Sequence, residues 1–339
     1  MLKVVIGALG VAVTGATAAP PAATPAVAVM PLPAVAVPAA QAPSAPLATA
    51  PRAPARTILF IGNSFTFGAN SPVRNWRADT VTDLNGAGYG GVPALFKAFT
   101  LQAGLDYRVS LEVQGGKTLG FHYDQRRRLF DRAWDVVVLQ EYSTFDPDRP
   151  GDPRAYINDV ARLTRLFARA NPRVQVQLTA TWSRADQVYR ARGPWAGKSI
   201  YAMALDLRAA ADRARAVNPL VTGIAPVGQA WNRAIATGVA DANPYDGVSF
   251  GQLDLWSFDQ YHASLAGYYL EALVVFGRVT GVDPTTLGPG EQAADTLGLP
   301  AARITARLGD SSLPMAPLAF LGAASCAVSA VVMALRTPE

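Results

Sequence analysis

The chain has 339 residues, of which 50% are hydrophobic and 16% charged, with a net charge of +5. That length and apolar content suit one sizeable α/β core and do not demand two. The basic residues are scattered arginines whose longest run is Arg126-Arg127-Arg128; it reads as a solvated helix face, and no nucleic-acid partner is expected.

The first element in chain order is a leader. Lys3 precedes an apolar run from Val4 to Ala19, and Ala16-Thr17-Ala18 offers a small-x-small cleavage site. Residues 1–18 therefore read as a secretory signal peptide, with an uncleaved membrane anchor as the alternative. Residues 19–55 are a Pro/Ala-rich linker in which Arg52 is the only charge. Proline at that density removes backbone donors and favours an extended tail. The expected folded domain spans 56–310. The stretch 316–335 is uncharged and about long enough to cross a bilayer, with Asp310 before it and Arg336 after it. It is a candidate transmembrane segment, the competing reading being a packed or processed tail. The expected location is exported, held at the membrane by that segment where it inserts.

Within the domain, Thr57-Ile58-Leu59-Phe60-Ile61 reads as a buried strand ending at Gly62-Asn63-Ser64. Residues 70–90 read as loop, 92–103 as helix, 107–113 as strand and 124–132 as a short helix. The run Val136-Val137-Val138-Leu139 reads as a second buried strand. A helix over 153–170, a strand over 174–181, a helix over 199–217, a strand over 220–226 and a helix over 264–280 follow. This alternation predicts a parallel sheet with helices on both faces.

Acyl transfer through a serine needs a hydroxyl beside a base, a carboxylate that orients the base, and donors for the oxyanion. Ser64, after the first strand, is a candidate nucleophile, or else a helix N-cap. His262 in Asp259-Gln260-Tyr261-His262 is a candidate general base with Asp259 as its orienting carboxylate. The alternative is that Asp259 and Ser264 cap the next helix. His122 is the competing histidine, but no carboxylate stands as well placed beside it in sequence, so it is expected in the pocket or in a structural role. Gly115-Gly116, after a strand, can present backbone N–H groups to an anion, or can be a plain turn. Gln140 can donate an amide N–H there, and Glu141 can orient a neighbour or meet substrate. Trp182, Tyr189, Trp195 and Trp231 suit either a sugar platform or the core. The one cysteine, Cys326, excludes an intramolecular disulfide, and with two histidines a Cys/His zinc cluster is excluded as well. No metal or other cofactor is expected, and no Gly-rich phosphate loop precedes a helix.

At these residues the chain resembles the SGNH (GDSL-like) hydrolase superfamily. Gly62-Asn63-Ser64-Phe65-Thr66 resembles its first block with Asn in place of Asp, Gly115-Gly116 its second, and Asp259-Gln260-Tyr261-His262 its last. The third block departs: Leu139-Gln140-Glu141-Tyr142-Ser143 stands where the family has Gly-x-Asn-Asp. The resemblance implies a three-layer α/β/α domain with a mostly parallel, flavodoxin-like five-stranded sheet. It also implies a Ser64-His262-Asp259 triad and an oxyanion hole of Ser64 N–H, Gly116 N–H and the Gln140 amide, with Asn63, Glu141 and His122 near the substrate. The expected activity is hydrolysis of small acyl esters, including O-acetyl groups on a small molecule or polysaccharide. A catalytically inactive carbohydrate-binding module and an acyltransferase are the alternatives.

Overall fold

The computed structural model describes residues 54–288 and 290–299. The expected signal peptide, almost all of the expected linker, the end of the expected domain and the 316–335 segment lie outside these residues. No helix among the described residues is long and apolar enough to cross a membrane.

Residues rich in β-branched and large apolar side chains build the strands. Strand β1 (Arg56–Gly62) leads into a four-residue helix α1 (Ser64–Phe67). A two-residue strand β2 (Thr82–Asp83), helix α2 (Gly91–Gln102) and strand β3 (Tyr107–Val113) follow. Helix α3 (Leu119–Phe121) continues as a π turn over His122–Arg126 and a 3-10 turn over Arg127–Leu129. Next come β4 (Val136–Gln140), α4 (Arg154–Ala170), β5 (Gln175–Thr179), α5 (Ala185–Tyr189) and α6 (Ala202–Ala216). The series ends with β6 (Val221–Ala225), α7 (Val227–Ala236), α8 (Leu265–Thr280) and α9 (Gln292–Leu297).

All pairings are parallel, in the order β2-β3-β1-β4-β5-β6. The sheet thus has six strands, not the expected five. The extra one, β2, is a two-residue edge strand inside the stretch read as loop, too short and polar to show a period. Without it the order is the flavodoxin-like one. β1 and β4 are buried along almost their whole length, which is why they read as unbroken apolar runs. Helices α2 and α8 pack together, as do α4 and α6. Trp182, Trp195 and Trp231 are at most 1% exposed and belong to the core, so they form no sugar platform. Trp182 stacks between Phe65 (centroids 4.1 Å) and Trp231 (4.7 Å).

The order in which strands are added reverses about β1: β3 lies on one side of it and β4 on the other. In open α/β sheets ligands collect outside the carboxyl ends of strands at such a switch point. The loops after β3, β1 and β4 are therefore neighbours at one edge, and these are the loops that carry the sequence motifs.

Candidate active site

The Ser64 corner is rigid by construction. Asn63 has its side-chain oxygen on Phe65 N (3.2 Å), so Asn63, not Ser64, caps α1. That leaves the Ser64 hydroxyl free of the capping role. A Cβ on Gly62 would run into Thr66 Oγ1 and Gln140 Oε1, so only glycine lets the turn close against β4. Tyr268, on α8, donates its hydroxyl hydrogen to Ser64 O or Ala69 O, both at 3.2 Å.

The three residues expected near substrate all lie beneath the surface. Asn63 is 2% exposed and donates its amide to Lys117 O (3.1 Å) and Glu141 O (3.4 Å), tying the three loops together. An aspartate could make neither bond, which gives a physical reason for asparagine in the first block. The Glu141 carboxylate accepts from Leu119 N (3.2 Å) and Tyr142 N (2.5 Å). Burial raises its pKa to about 8 against the pull of those two N–H groups. His122 is fully buried with Nδ1 2.5 Å from Glu112 Oε2, and Asn85 Nδ2 donates to Glu112 Oε1 (3.1 Å). His122 thus does have a carboxylate partner, but one ten residues earlier on β3, joined by the fold and not by local spacing.

Gln140 also departs from the expected role. Its Oε1 accepts from Asn63 N (2.9 Å) and Thr66 Oγ1 (3.0 Å), and its Nε2 donates to Glu141 O. The backbone donor on Oε1 fixes the amide orientation. At 2% exposure, Gln140 braces the serine turn from below.

Gly115 and Gly116 form the exposed tip of a turn closed by Lys117 N donating to Gln114 O (3.2 Å). Gly116 sits at φ +69°, a left-handed conformation that such a turn assigns to glycine. Neither its N–H nor that of Ser64 donates to another group among the described residues. A groove of about 310 Å³ is lined in part by Tyr89, Gln114, Gly115 of this turn and Arg126.

The last motif forms the loop before α8. Asp259 Oδ1 accepts from Tyr261 N (3.1 Å) and His262 N (2.9 Å), while Oδ2 meets His262 Nδ1 at 2.6 Å. Burial works to raise the Asp259 pKa, but these bonds, led by the one from the His262 ring, hold it below the usual carboxylate value. Asn70, left-handed at φ 59°, donates to Asp259 Oδ2 (2.7 Å). Ser264 does cap α8, accepting from Gly267 N; capping and the Asp259–His262 pair coexist. His262 Nε2 is enclosed and has no partner, and its ring lies 5.7 Å from that of Phe65, the residue after Ser64. Ser64 and Nε2 thus share one corner without a hydrogen bond between them. Among the described residues no group of three or more His, Cys, Asp or Glu side chains could hold a metal ion.

Sequence reading missed Asn70, Ser143, Arg184 and Tyr261. Arg184, 10% exposed at its side chain, pairs with Asp186 (2.6 Å) and donates Nη1 to Ser143 Oγ (3.1 Å). Its guanidinium lies 3.5 Å from the centroid of the Tyr261 ring. Two of them had a sequence signal: Tyr261 stands between Asp259 and His262, and Ser143 ends the departing third block.

No family model matches the chain, and no curated protein does. Among solved structures, the chain is similar to a DUF4886 family protein from Bacteroides uniformis (15% identity, 84% of this chain, 98% of that chain, TM-score 0.48). It is also similar to a protein described as a GDSL-like lipase from Parabacteroides merdae (18%, 67% and 95%, TM-score 0.47). An acetyl-xylooligosaccharide esterase from Geobacillus is a third likeness (16%, 68% and 95%, TM-score 0.43).

Proposed function

We propose that the chain is a serine esterase of the SGNH type acting on small acyl esters, including O-acetyl groups on carbohydrate. The observation that carries this reading is the Asp259–His262 pair at 2.6 Å, whose free Nε2 shares the Ser64 corner at the carboxyl edge of the sheet. Asp259 fixes the tautomer with hydrogen on Nδ1, leaving Nε2 to accept a proton.

In this mechanism Ser64 Oγ attacks the ester carbonyl carbon and its proton passes to His262 Nε2. The carbonyl π pair moves onto oxygen, where Ser64 N–H and Gly116 N–H receive the negative charge. Collapse breaks the carbon–oxygen bond to the alcohol, which leaves with the proton from His262. Water then repeats the sequence on the acyl-enzyme and releases the acid. The leader and the Pro/Ala-rich segment support export of the enzyme on a stalk, and the 316–335 segment supports a membrane anchor. Fractionation of cells expressing the full chain tests both: recovery in the cytoplasmic soluble fraction would contradict them.

Hydrolysis of an aryl acetate by the full chain, compared with Ser64→Ala, tests the activity. Turnover in the wild type and a loss of roughly 10⁴-fold or more in the variant is expected. Equal rates in the two would refute the reading.

A further inference from the structure

The groove lined by Tyr89, Gln114, Gly115 and Arg126 plays no part in the mechanism above. The sheet register fixes where it lies. Val113, the last residue of β3, pairs with Gly62, and Gln114 N donates to Gly62 O (3.1 Å), two residues before Ser64. Gly115 faces the Phe67 ring, 3.7 Å from where its Cβ would be, and Phe67 ends the single helical turn that Ser64 begins. Phe67 in turn stacks on Tyr89 (centroids 4.4 Å, 12° between planes). The groove thus sits at the carboxyl ends of β2 and β3, one strand across from Ser64, and Gly115 on its wall is joined to the candidate oxyanion donor Gly116.

We infer that this groove is a subsite for an anionic sugar. It takes the alcohol half of the ester where that half is a glycosyl unit bearing a carboxylate, with the carboxylate on Arg126 and the ring against Tyr89. The inference rests on the esterase reading above and narrows its substrate class.

Size, shape and charge support this. A space of about 310 Å³ lies at the small end of ligand pockets, enough for one ring-sized unit. An acetyl group is far smaller, so of the two halves of an acetyl ester only the alcohol fills it. Arg74 stands 5.1 Å from the Tyr89 centroid and 5.6 Å from that of Phe67, nearly equidistant from two rings stacked 4.4 Å apart. It therefore lies beside the stack, donating to Tyr89 Oη (3.2 Å), and does not cover the outer face of Tyr89. Arg126 is exposed and pairs with no carboxylate among the described residues. Its guanidinium and the Lys117 ammonium both lie against the Phe121 ring (5.8 and 5.3 Å). Three carboxylates on the elements that frame the groove are already committed. Asp83 accepts from Asn85 N, Ala87 N and Tyr89 N. Glu112 is buried against His122 and Asn85, and Asp124 pairs with Arg162. The charge left on the wall is that of Arg126, and a guanidinium binds a carboxylate through two parallel N–H bonds.

A matched pair of esters tests this: methyl glucuronide and methyl glucoside, each acetylated at a ring hydroxyl, which differ only in a carboxylate for a hydroxymethyl group. The full-length protein is assayed on both and on an aryl acetate. The wild type is expected to favour the glucuronide acetate roughly tenfold or more in kcat/KM, through KM more than kcat. Arg126→Gln is expected to bring that ratio to within about twofold of one, and Arg126→Lys to restore part of it, because lysine returns the charge without the planar fork. A ratio taken within one protein does not depend on the fraction folded, so partial unfolding of a variant does not mask the result. Equal kcat/KM on the two sugar esters in the wild type would overturn the inference, as would a preference that survives in Arg126→Gln. A wild type that turns over none of the three esters fails the esterase reading itself, whereas one that hydrolyses the aryl acetate and favours neither sugar acetate fails only the groove.

Discussion

The two histidines of this chain make a natural experiment. Each meets a carboxylate through Nδ1, His122 with Glu112 at 2.5 Å and His262 with Asp259 at 2.6 Å, and each has an Nε2 without a partner. Each carboxylate also takes an asparagine amide, from Asn85 and Asn70. Locally they are nearly the same device. They differ in place. The His122 pair is sealed between β3 and the π turn with no exposure, while the His262 pair is 13% and 26% exposed at the edge where Ser64 stands. A dyad becomes chemistry only where a nucleophile and a substrate can reach it. Elsewhere the same geometry is a clasp, here closing the base of the 112–122 segment that carries Gly116.

Changes to the two carboxylates should separate these roles. Asp259→Asn is expected to lower ester turnover by roughly 10⁴-fold with little change in melting, because the amide no longer holds the Nδ1–H tautomer. Steady-state kinetics beside a melting curve checks it. Glu112→Ala should do the opposite: it strands His122 Nδ1 and Asn85 Nδ2 in a sealed site, costing about 3–5 kcal/mol of stability by denaturant titration. Its folded fraction should still turn over ester. Severe loss of turnover in a stably folded Glu112→Ala would mean that the buried pair also reaches the chemistry.

Glu141 gives a smaller, pH-dependent effect on the same segment. Its pKa is raised to about 8 in the fold from an ordinary 4.5. Between those values the folded state holds a proton that the unfolded chain has lost. This contribution is therefore full below about pH 4.5 and is lost as pH rises through about 8. Glu141→Gln should flatten that decline, so that it melts closer to its own neutral-pH value at about pH 9 than the wild type does. A wild type and variant with parallel melting curves across that range would contradict the raised value. The smallest effect is expected from Asn70→Ala, which frees Asp259 Oδ2 of one donor and should reduce kcat about threefold to tenfold, by steady-state kinetics.

What sequence could disclose follows the range of the forces involved. β1 and β4 were legible because both of their faces are buried, and β3 was found to its ends, Tyr107 and Val113. The amphipathic helix α4 was likewise placed to within a residue or so at each end. The elements missed, α1, β2, α5, α7 and α9, are mostly short, and α1 and β2 owe their form to loop contacts and not to a period. At the site, Asp259 and His262 were readable because their bond spans three residues. The Glu112–His122 bond spans ten, and the Asn63, Gln140 and Arg184 contacts span 41 to 78 residues across neighbouring loops. Those depend on the order β3-β1-β4-β5, which alternation of elements alone does not specify. Hence Asn63, Glu141 and Gln140 were rightly placed at the strand ends, yet they face inward as braces.

The most direct test of the account is covalent labelling of the full chain by a fluorophosphonate, beside Ser64→Ala, His262→Ala and His122→Phe. Labelling of the wild type and of folded His122→Phe, with none of Ser64→Ala and little of His262→Ala, is the expected result. Labelling that survives in His262→Ala and disappears in folded His122→Phe would assign the base to the buried dyad and contradict the account.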